Sequence, residues 1–321
     1  MTRVVHLHFH GRRTGITRHV EDVARLLPAE VVGWGLSAEV PRLSWRALRA
    51  RIRSGPVVLH AHRNLELLAA LLLRAPSPSV RVVFTRHSAG RPSAWTRFLA
   101  RRADARVVMT RGALGELDLP AEVVPHGVDT RRFGPAAADR ASGPRALGAV
   151  GRLRPDKGQE DLVRAWAALA PRFPGWRLVL AGAATHRWRG FARHLARLAP
   201  VDLLGEVRDT PALYRRLTVM VQPSRRESFS LVLLEAMASG CCVVAAALPH
   251  YPELVEDGVT GFLYPAGDVD ALARLLEPLL ENPARAEEVG RAAMAAVRAR
   301  WALEAEVAAL RGLYARLEGP G

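Results

Sequence analysis

The sequence predicts an α/β protein of two Rossmann-like domains. Three observations lead there. Short apolar, β-rich runs alternate with helical stretches, the pattern of parallel sheets covered by helices on both faces. The alternation occurs twice, once on each side of Phe133–Pro144 (FGPAAADRASGP), a Pro/Gly/Ala-rich stretch without periodicity that reads as a linker. The length, 321 residues, suits two domains of roughly 150 residues each. The expected division is 1–145, 146–300, and a C-terminal helix over 301–321 packing back on the first domain. The two domains are expected to face each other across a cleft, with the ligand at the C-terminal ends of the strands.

In the first half, strands are expected at Val4–Phe9, Val31–Leu36, Val57–His60, Val80–Thr85, Ala105–Thr110 and Glu122–Pro125. Helical periodicity marks Ile16–Leu27, Leu65–Arg74 and Ser93–Ala103. In the second half, strands are expected at Ala146–Val150, Arg177–Ala181, Val201–Leu204, Val219–Gln222, Cys242–Ala246 and Gly261–Tyr264. Helices there are Glu160–Leu169, Leu231–Ala238, Val269–Leu280 and Ala284–Arg300.

Composition excludes several classes. Hydrophobic residues make up 49% of the chain, far too many for a disordered basic protein. No run of about 18 uncharged apolar residues would cross a membrane, and the N-terminus is too weakly apolar for a signal peptide. The only cysteines, Cys241 and Cys242, are adjacent and too close for a disulfide, so a reducing cytoplasm is expected.

Charge is uneven. There are 46 basic residues against 31 acidic ones, a net of +15. Residues 1–145 carry 24 Arg against 11 acids, a net of +13, and residues 146–321 carry 22 against 20, a net of +2. An anionic partner should therefore meet the first half. Two segments concentrate the surplus. In Arg42–Arg53, helical spacing puts Trp45, Leu48 and Ile52 on one side and Arg42, Arg46, Arg49 and Arg53 beside it. In Arg91–Arg102, Trp95, Phe98 and Leu99 share a face, with Arg97 and Arg101 opposite. Such helices suit either an anionic membrane surface or packing on their own sheet. No zinc-finger or RNP signature points to nucleic acid.

Two segments carry candidate chemistry in the second half. Gly151–Gly158 (GRLRPDKG) follows an apolar strand and opens a helix, so its backbone can approach an anion. Arg152 and Lys157 add two cations there, and Lys157 is the one lysine in a chain with 45 arginines. That choice follows if a guanidinium does not fit. The second segment is Pro223–Gly240 (PSRRESFSLVLLEAMASG). Glu227 lies on its loop and Glu235 inside the helix that follows, flanked by Leu233, Leu234, Ala236 and Met237. Eight helical residues span ~12 Å, too far for a glycosidase carboxylate pair, so the two acids should hold different parts of one extended ligand.

The histidines of the first half form a third set. His6, His8 and His10 alternate on one strand, His60 and His62 end another, and His87 lies just past a third. No acidic or cysteine ligand accompanies them in sequence, so no metal site is expected. Asp268-Val269-Asp270 has the spacing of a metal–nucleotide pair but is expected to cap the helix Val269–Leu280.

With these motifs in order, the sequence resembles the retaining glycosyltransferases of family 4, which have the two-domain GT-B fold. Thr14–Val20 resembles the family's first glycine loop and helix, Thr85-Arg86-His87 its Thr-x-His, and Val124–Phe133 the segment before its linker. Gly151–Gly158 resembles its diphosphate loop, Glu227 and Glu235 its two glutamates, and Pro249–Pro265 the segment after them. His62-Arg63-Asn64 and Phe84–Ala89 are similar to bacterial lipopolysaccharide-core sugar transferases. Ser230, Cys242 and Ala181–Ala184 depart from the family pattern at a glycine, a proline and a Gly-x-Gly.

The resemblance implies front-face transfer of a hexose from a nucleoside-diphosphate sugar to an anionic glycolipid or saccharide. It implies no metal and no cofactor beyond that co-substrate. Arg152 and Lys157 would hold the diphosphate, with backbone amide from Gly15. Glu227 and the backbone of Phe229, Ser230 and Leu231 would hold the sugar, Glu235 the ribose, and His87 the sugar from the other side. Trp45, Arg46, Arg49, Trp95, Arg97 and Arg101 would meet the acceptor or the inner face of the cytoplasmic membrane. Two other readings remain open: a nucleotide-sugar epimerase on the same fold, and an inactive basic surface-binding protein.

Overall fold

The computed structural model describes residues 3–11, 14–135 and 145–318. The chain folds as two compact units, residues 1–127 with 303–321, and residues 128–302.

The first unit is built on six parallel strands: β1 (Arg3–Phe9), β2 (Glu30–Trp34), β3 (Val57–Ala61), β4 (Val80–Thr85), β5 (Ala105–Val108) and β6 (Glu122–Val123). Their order is β2-β1-β3-β4-β5-β6, so the strand order reverses between β1 and β3. Helices α1 (Gly15–Leu26), α2 (Trp45–Ser54), α3 (Asn64–Arg74), α4 (Ala94–Ala100) and α5 (Arg111–Leu117) connect them. Alternation along β1 sorts its side chains between two cores. Val5 and Leu7 pack with Leu59, Val82, Leu48, Leu67 and Leu99 on one face. Val4, Val58 and Val83 pack on the other face, against Val23 of α1, Leu27 just after it, and Leu303, Val307, Leu310 and Tyr314 of the C-terminal helix, Leu303–Glu318. That helix therefore supplies part of the first unit's core, although it lies last in sequence.

The chain passes from one unit to the other at 127/128 and 302/303, not at 145/146. Composition misplaces the crossing because Val128 and Phe133 are themselves buried, and the Val128 N–H donates to the Trp301 carbonyl at 2.8 Å. Most of the expected linker, residues 136–144, lies outside the described residues.

The second unit has strands β7 (Arg145–Val150), β8 (Trp176–Ala181), β9 (Asp202–Gly205), β10 (Val219–Gln222), β11 (Cys242–Ala246) and β12 (Phe262–Tyr264). Their order, β12-β11-β10-β7-β8-β9, is the dinucleotide-fold order, with its reversal between β7 and β10. The helices are α6 (Gln159–Leu169), α7 (Arg189–Leu198), α8 (Thr210–Arg216), α9 (Leu231–Ala238), α10 (Val269–Glu281) and α11 (Pro283–Arg300). Asp268 caps α10, accepting the Ala271 N–H at 2.8 Å, which gives it the capping role expected. Cys241 and Cys242 are buried free thiols, and burial pushes the Cys242 thiol up to about 12.

Candidate functional site

In an open α/β sheet, a crevice forms where the strand order reverses, outside the carboxyl ends of the strands. In the second unit the loop after β7 is Gly151–Gly158, and the loop after β10 begins at Pro223. The two segments singled out from sequence thus meet at the reversal. Their backbones touch. Gly158 has φ +66°, and a Cβ there would lie 1.9 Å from the Pro223 carbonyl oxygen. Gly182, after β8, has φ +145°, and its Cβ would lie 1.9 Å from the Gly151 carbonyl oxygen. Only glycine satisfies both the conformation and the space.

The Lys157 ammonium donates to Glu227 Oε1. The same oxygen accepts from Gln222 Nε2 and Ser224 Oγ, each at 2.9 Å. Only 18% of the lysine side chain and 15% of the glutamate side chain are exposed. A compact point charge can share one oxygen with two other donors, whereas a planar guanidinium needs more room. Arg225 fixes the loop from outside. Its Nη2 reaches both Asp161 oxygens, at 2.9 and 3.0 Å, and its N–H donates to the Asp156 carbonyl at 3.0 Å. Arg152 is exposed, and its carbonyl accepts from Gln159 Nε2 at 3.0 Å.

Phe229 is buried, whereas Ser230 and Leu231 are half-buried at the start of α9. Ser230 adopts φ +86°, a conformation that favours glycine, while its Oγ accepts the Leu233 N–H at 3.3 Å. Glu235 is buried in α9, and its Oε2 accepts from the Tyr214 hydroxyl at 3.1 Å. An acid inside an apolar helix needs such a partner.

In the first unit the reversal falls between β1 and β3, and the interior there is filled with imidazoles. His6 and His60 pair across the strands. His6 Nδ1 lies 3.0 Å from His62 Nε2, His62 Nδ1 lies 3.0 Å from His87 Nε2, and His87 Nδ1 lies 3.1 Å from His126 Nε2. His126 Nδ1 lies 3.2 Å from Glu306 Oε1. The same oxygen is 3.1 Å from His19 Nε2, and Oε2 accepts the Gly127 N–H at 2.7 Å. His60 bonds the Tyr314 hydroxyl and Thr85 Oγ1, both at 2.7 Å.

Burial, aided by His19, holds His6 down to about 3. Burial and the same neighbour hold His126 down to about 4. His60, His62 and His87 lie well below the usual imidazole range, burial being the largest cause in each. Burial raises the Glu306 carboxyl, but His19 and the hydrogen bonds from His126 and His19 outweigh that and hold it near about 2. These imidazoles are therefore neutral, and Glu306 is ionised.

Glu306 and His126 are site residues that sequence reasoning missed. The acid stands 180 residues beyond His126, and only the return of the C-terminal helix brings them together. His87 is found with both ring nitrogens engaged in the imidazole chain. Gly15 is the first residue of α1, beside a Thr14–Thr17 capping box, and a Cβ there would meet nothing within 4 Å.

The two basic helices differ in part from the wheel reading. Leu48, Ile52 and Leu99 sit in the core, so no continuous apolar face is free. The aromatic residues remain at the surface. Trp45 is 40% exposed, Trp95 51% and Phe98 45%, and the last two rings stack at 5.5 Å. Arg46, Arg49 and Arg101 are exposed, while Arg97 is half-buried, 3.8 Å from Asp118. Trp34, Leu65 and Leu72 are exposed too, and the sequence reading did not include them. Among the described residues no helix is long and apolar enough to cross a membrane.

Comparison with known proteins agrees with the fold and with the motifs. Residues 5–132 match the family "Glycosyltransferase Family 4", and residues 133–295 match "Glycosyl transferases group 1". The lipopolysaccharide core biosynthesis mannosyltransferase LpcC of Rhizobium leguminosarum bv. viciae is 36% identical, over 97% of this chain and 95% of its own. LpsB of Rhizobium meliloti, described in the same terms, is 33% identical over 98% and 97%. Among solved structures, Anabaena Alr3699/HepE in complex with UDP superposes with a TM-score of 0.84 at 20% identity, covering 98% of this chain and all of that one, a likeness of fold. Because the group 1 match covers half the chain and full-length relatives exceed 30% identity, the protein belongs to the family 4, group 1 glycosyltransferases of GT-B fold.

Proposed function

We propose that this glycosyltransferase moves a hexose from a nucleoside-diphosphate sugar to an anionic cell-envelope glycolipid, with retention of configuration and no metal in the transfer step. The observation that carries the donor half is the Lys157–Glu227 contact at the strand reversal of the second unit. A half-buried cation beside two glycine-permitted backbone approaches is suited to a diphosphate, and exposed Arg152 adds a forked donor. When the sugar–phosphate bond breaks, negative charge grows on the leaving diphosphate, and fixed cations stabilise that charge. The acceptor oxygen bonds to the anomeric carbon on the same face, and its proton passes to the departing diphosphate. Glu227 and the half-buried Ser230–Leu231 backbone take the sugar, and Glu235 takes the ribose. Gly15 and His87 keep the parts that the family resemblance implies, at the donor phosphate and the sugar.

The acceptor half rests on the two rhizobial relatives, which are named for lipopolysaccharide core biosynthesis. It rests also on the first half's positive charge and the exposed Trp45, Trp95 and Phe98. Amphipathic aromatics beside arginines suit an anionic lipid surface, so we place the enzyme at the inner face of the cytoplasmic membrane, with no nucleic-acid partner.

A screen of UDP-, GDP- and ADP-sugars for hydrolysis and transfer tests the reading. One donor should be turned over, its product should keep the donor's anomeric configuration, and transfer should not require added Mg2+ or Mn2+. Lys157→Ala should lower turnover by roughly a hundredfold or more while the fold survives. An inverted product, a strict requirement for added Mg2+ or Mn2+, or near-normal turnover in that variant would each overturn the corresponding part.

A further inference from the structure

The imidazole chain of the first unit has no part in holding a diphosphate, and it ends in a donor set of its own. His19 Nε2 and His126 Nδ1 both approach one oxygen of Glu306, at 3.1 and 3.2 Å. One ligand atom from each residue lies within 4.8 Å of the other two, and all three residues are buried. In a tetrahedral zinc site, with bonds of about 2.0–2.2 Å, ligand atoms stand roughly 3.3–3.5 Å apart. The two His–Glu306 edges need to open by only about 0.1–0.4 Å to reach that, while the two imidazole rings, whose centroids stand 3.7 Å apart, must splay to face one ion.

Outer hydrogen bonds hold two of the three side chains in place. The second Glu306 oxygen is fixed by the Gly127 N–H at 2.7 Å, and His126 is oriented by His87 through its other nitrogen at 3.1 Å. Outer partners of this kind set ligand tautomer and direction. His19 and Glu306 also line a small cavity with His6, His60 and His62. Its room for a water's centre is ≈ 10 Å³, about one water. His6 is 1% exposed, and its Nε2 has no hydrogen-bond partner among the described residues.

We propose that His19, His126 and Glu306 bind a divalent first-row transition ion, Zn2+ by donor type, with a water in the cavity as its fourth ligand and as the partner of His6 Nε2. Two imidazoles and one carboxylate suit zinc and its neighbours rather than Mg2+ or Ca2+, which take oxygen ligands. The ion would join α1, the turn after β6 and the C-terminal helix, so it would be structural. It would also set the imidazole chain. Without metal, an acceptor-only carboxylate requires His126 Nδ1 to carry the proton, and each neutral ring then donates from Nδ1 down to His6. With metal on Nδ1, the His126 proton moves to Nε2, and His87, His62 and His6 reverse in turn. Each ring of the chain keeps one proton throughout, so the reversal itself releases none to solvent. The site does not depend on which donor or acceptor the enzyme uses.

The test is metal content of the untagged full chain, measured by mass spectrometry after expression with added Zn2+ and dialysis. About one Zn2+ per folded chain is expected, falling below about a tenth in Glu306→Gln. If that variant does not fold, the wild-type chain refolded with Co2+ decides: about one equivalent with intense tetrahedral absorption in the visible supports the site. A folded wild-type chain holding below about a tenth of an equivalent of either ion overturns it, as does a Glu306→Gln chain that keeps its zinc.

Discussion

Acidification should unfold the first unit well above the carboxylate range. His6 and His126 titrate at about 3 and about 4 in the folded chain, whereas an unfolded imidazole titrates near 6.5. Between these values the unfolded chain binds protons that the folded chain refuses. Stability is therefore complete above about pH 7.5 and falls as pH drops through 6.5 toward the folded values. From pH 7.5 to 5.0 each such imidazole removes about 2 kcal/mol, so these two remove about 4 kcal/mol. His60, His62 and His87 act in the same direction. Glu306, depressed to about 2, acts separately: its contribution is present above about pH 4.5 and is lost only as pH falls toward 2. A domain of ordinary stability, about 5–15 kcal/mol, should be close to unfolding at pH 5. Urea unfolding followed by tryptophan fluorescence, with EDTA present, measures this. A change below about 1 kcal/mol across that window would show that the buried imidazoles are not held neutral.

Other substitutions probe single contacts. Lys157→Arg keeps the charge but places a planar fork where Glu227 Oε1 already takes two other donors, and turnover should fall roughly tenfold to a hundredfold in a steady-state assay. Gly158→Ala drives a Cβ into the Pro223 carbonyl and forces φ +66° on alanine, so stability should drop by about 2–4 kcal/mol in chemical denaturation. Ser230→Gly relieves φ +86° at the loss of a cap worth a few tenths, for a net gain of about 0.5–1 kcal/mol by the same method. Trp95→Glu with Phe98→Ser should weaken binding to vesicles rich in anionic lipid by about tenfold or more in a sedimentation assay, without lowering stability, because both rings are exposed.

The strands were legible because parallel strands buried on both faces leave unbroken apolar runs. β4, β10 and β11 have the limits expected from sequence. The short helices were harder. α7 buries only Leu195, and α8 opens with a proline after its first residue, so neither leaves a clear helical period. The second-unit site was legible because its residues lie in two continuous segments whose loops the topology brings together. Glu306 was not, since nothing local sets it apart from a solvated helix acid. Its role appears only when the last helix covers the face of β1 that carries Val4 and His6. The basic helices were half legible: spacing grouped Trp45 with Leu48 and Ile52, and Trp95 with Phe98 and Leu99, and left membrane contact and packing on the sheet both open, whereas the structure divides each group, exposing the aromatics and burying Leu48, Ile52 and Leu99.

Calorimetric titration of the full chain with UDP, GDP and ADP, repeated on Lys157→Ala, bears on the donor site without needing the acceptor. One nucleoside diphosphate should bind the wild-type chain, and loss of a half-buried charge-assisted contact worth about 2 kcal/mol should weaken it about thirtyfold in the variant. Failure of all three to bind, or equal affinity in both chains, would contradict a diphosphate site at Lys157 and Glu227.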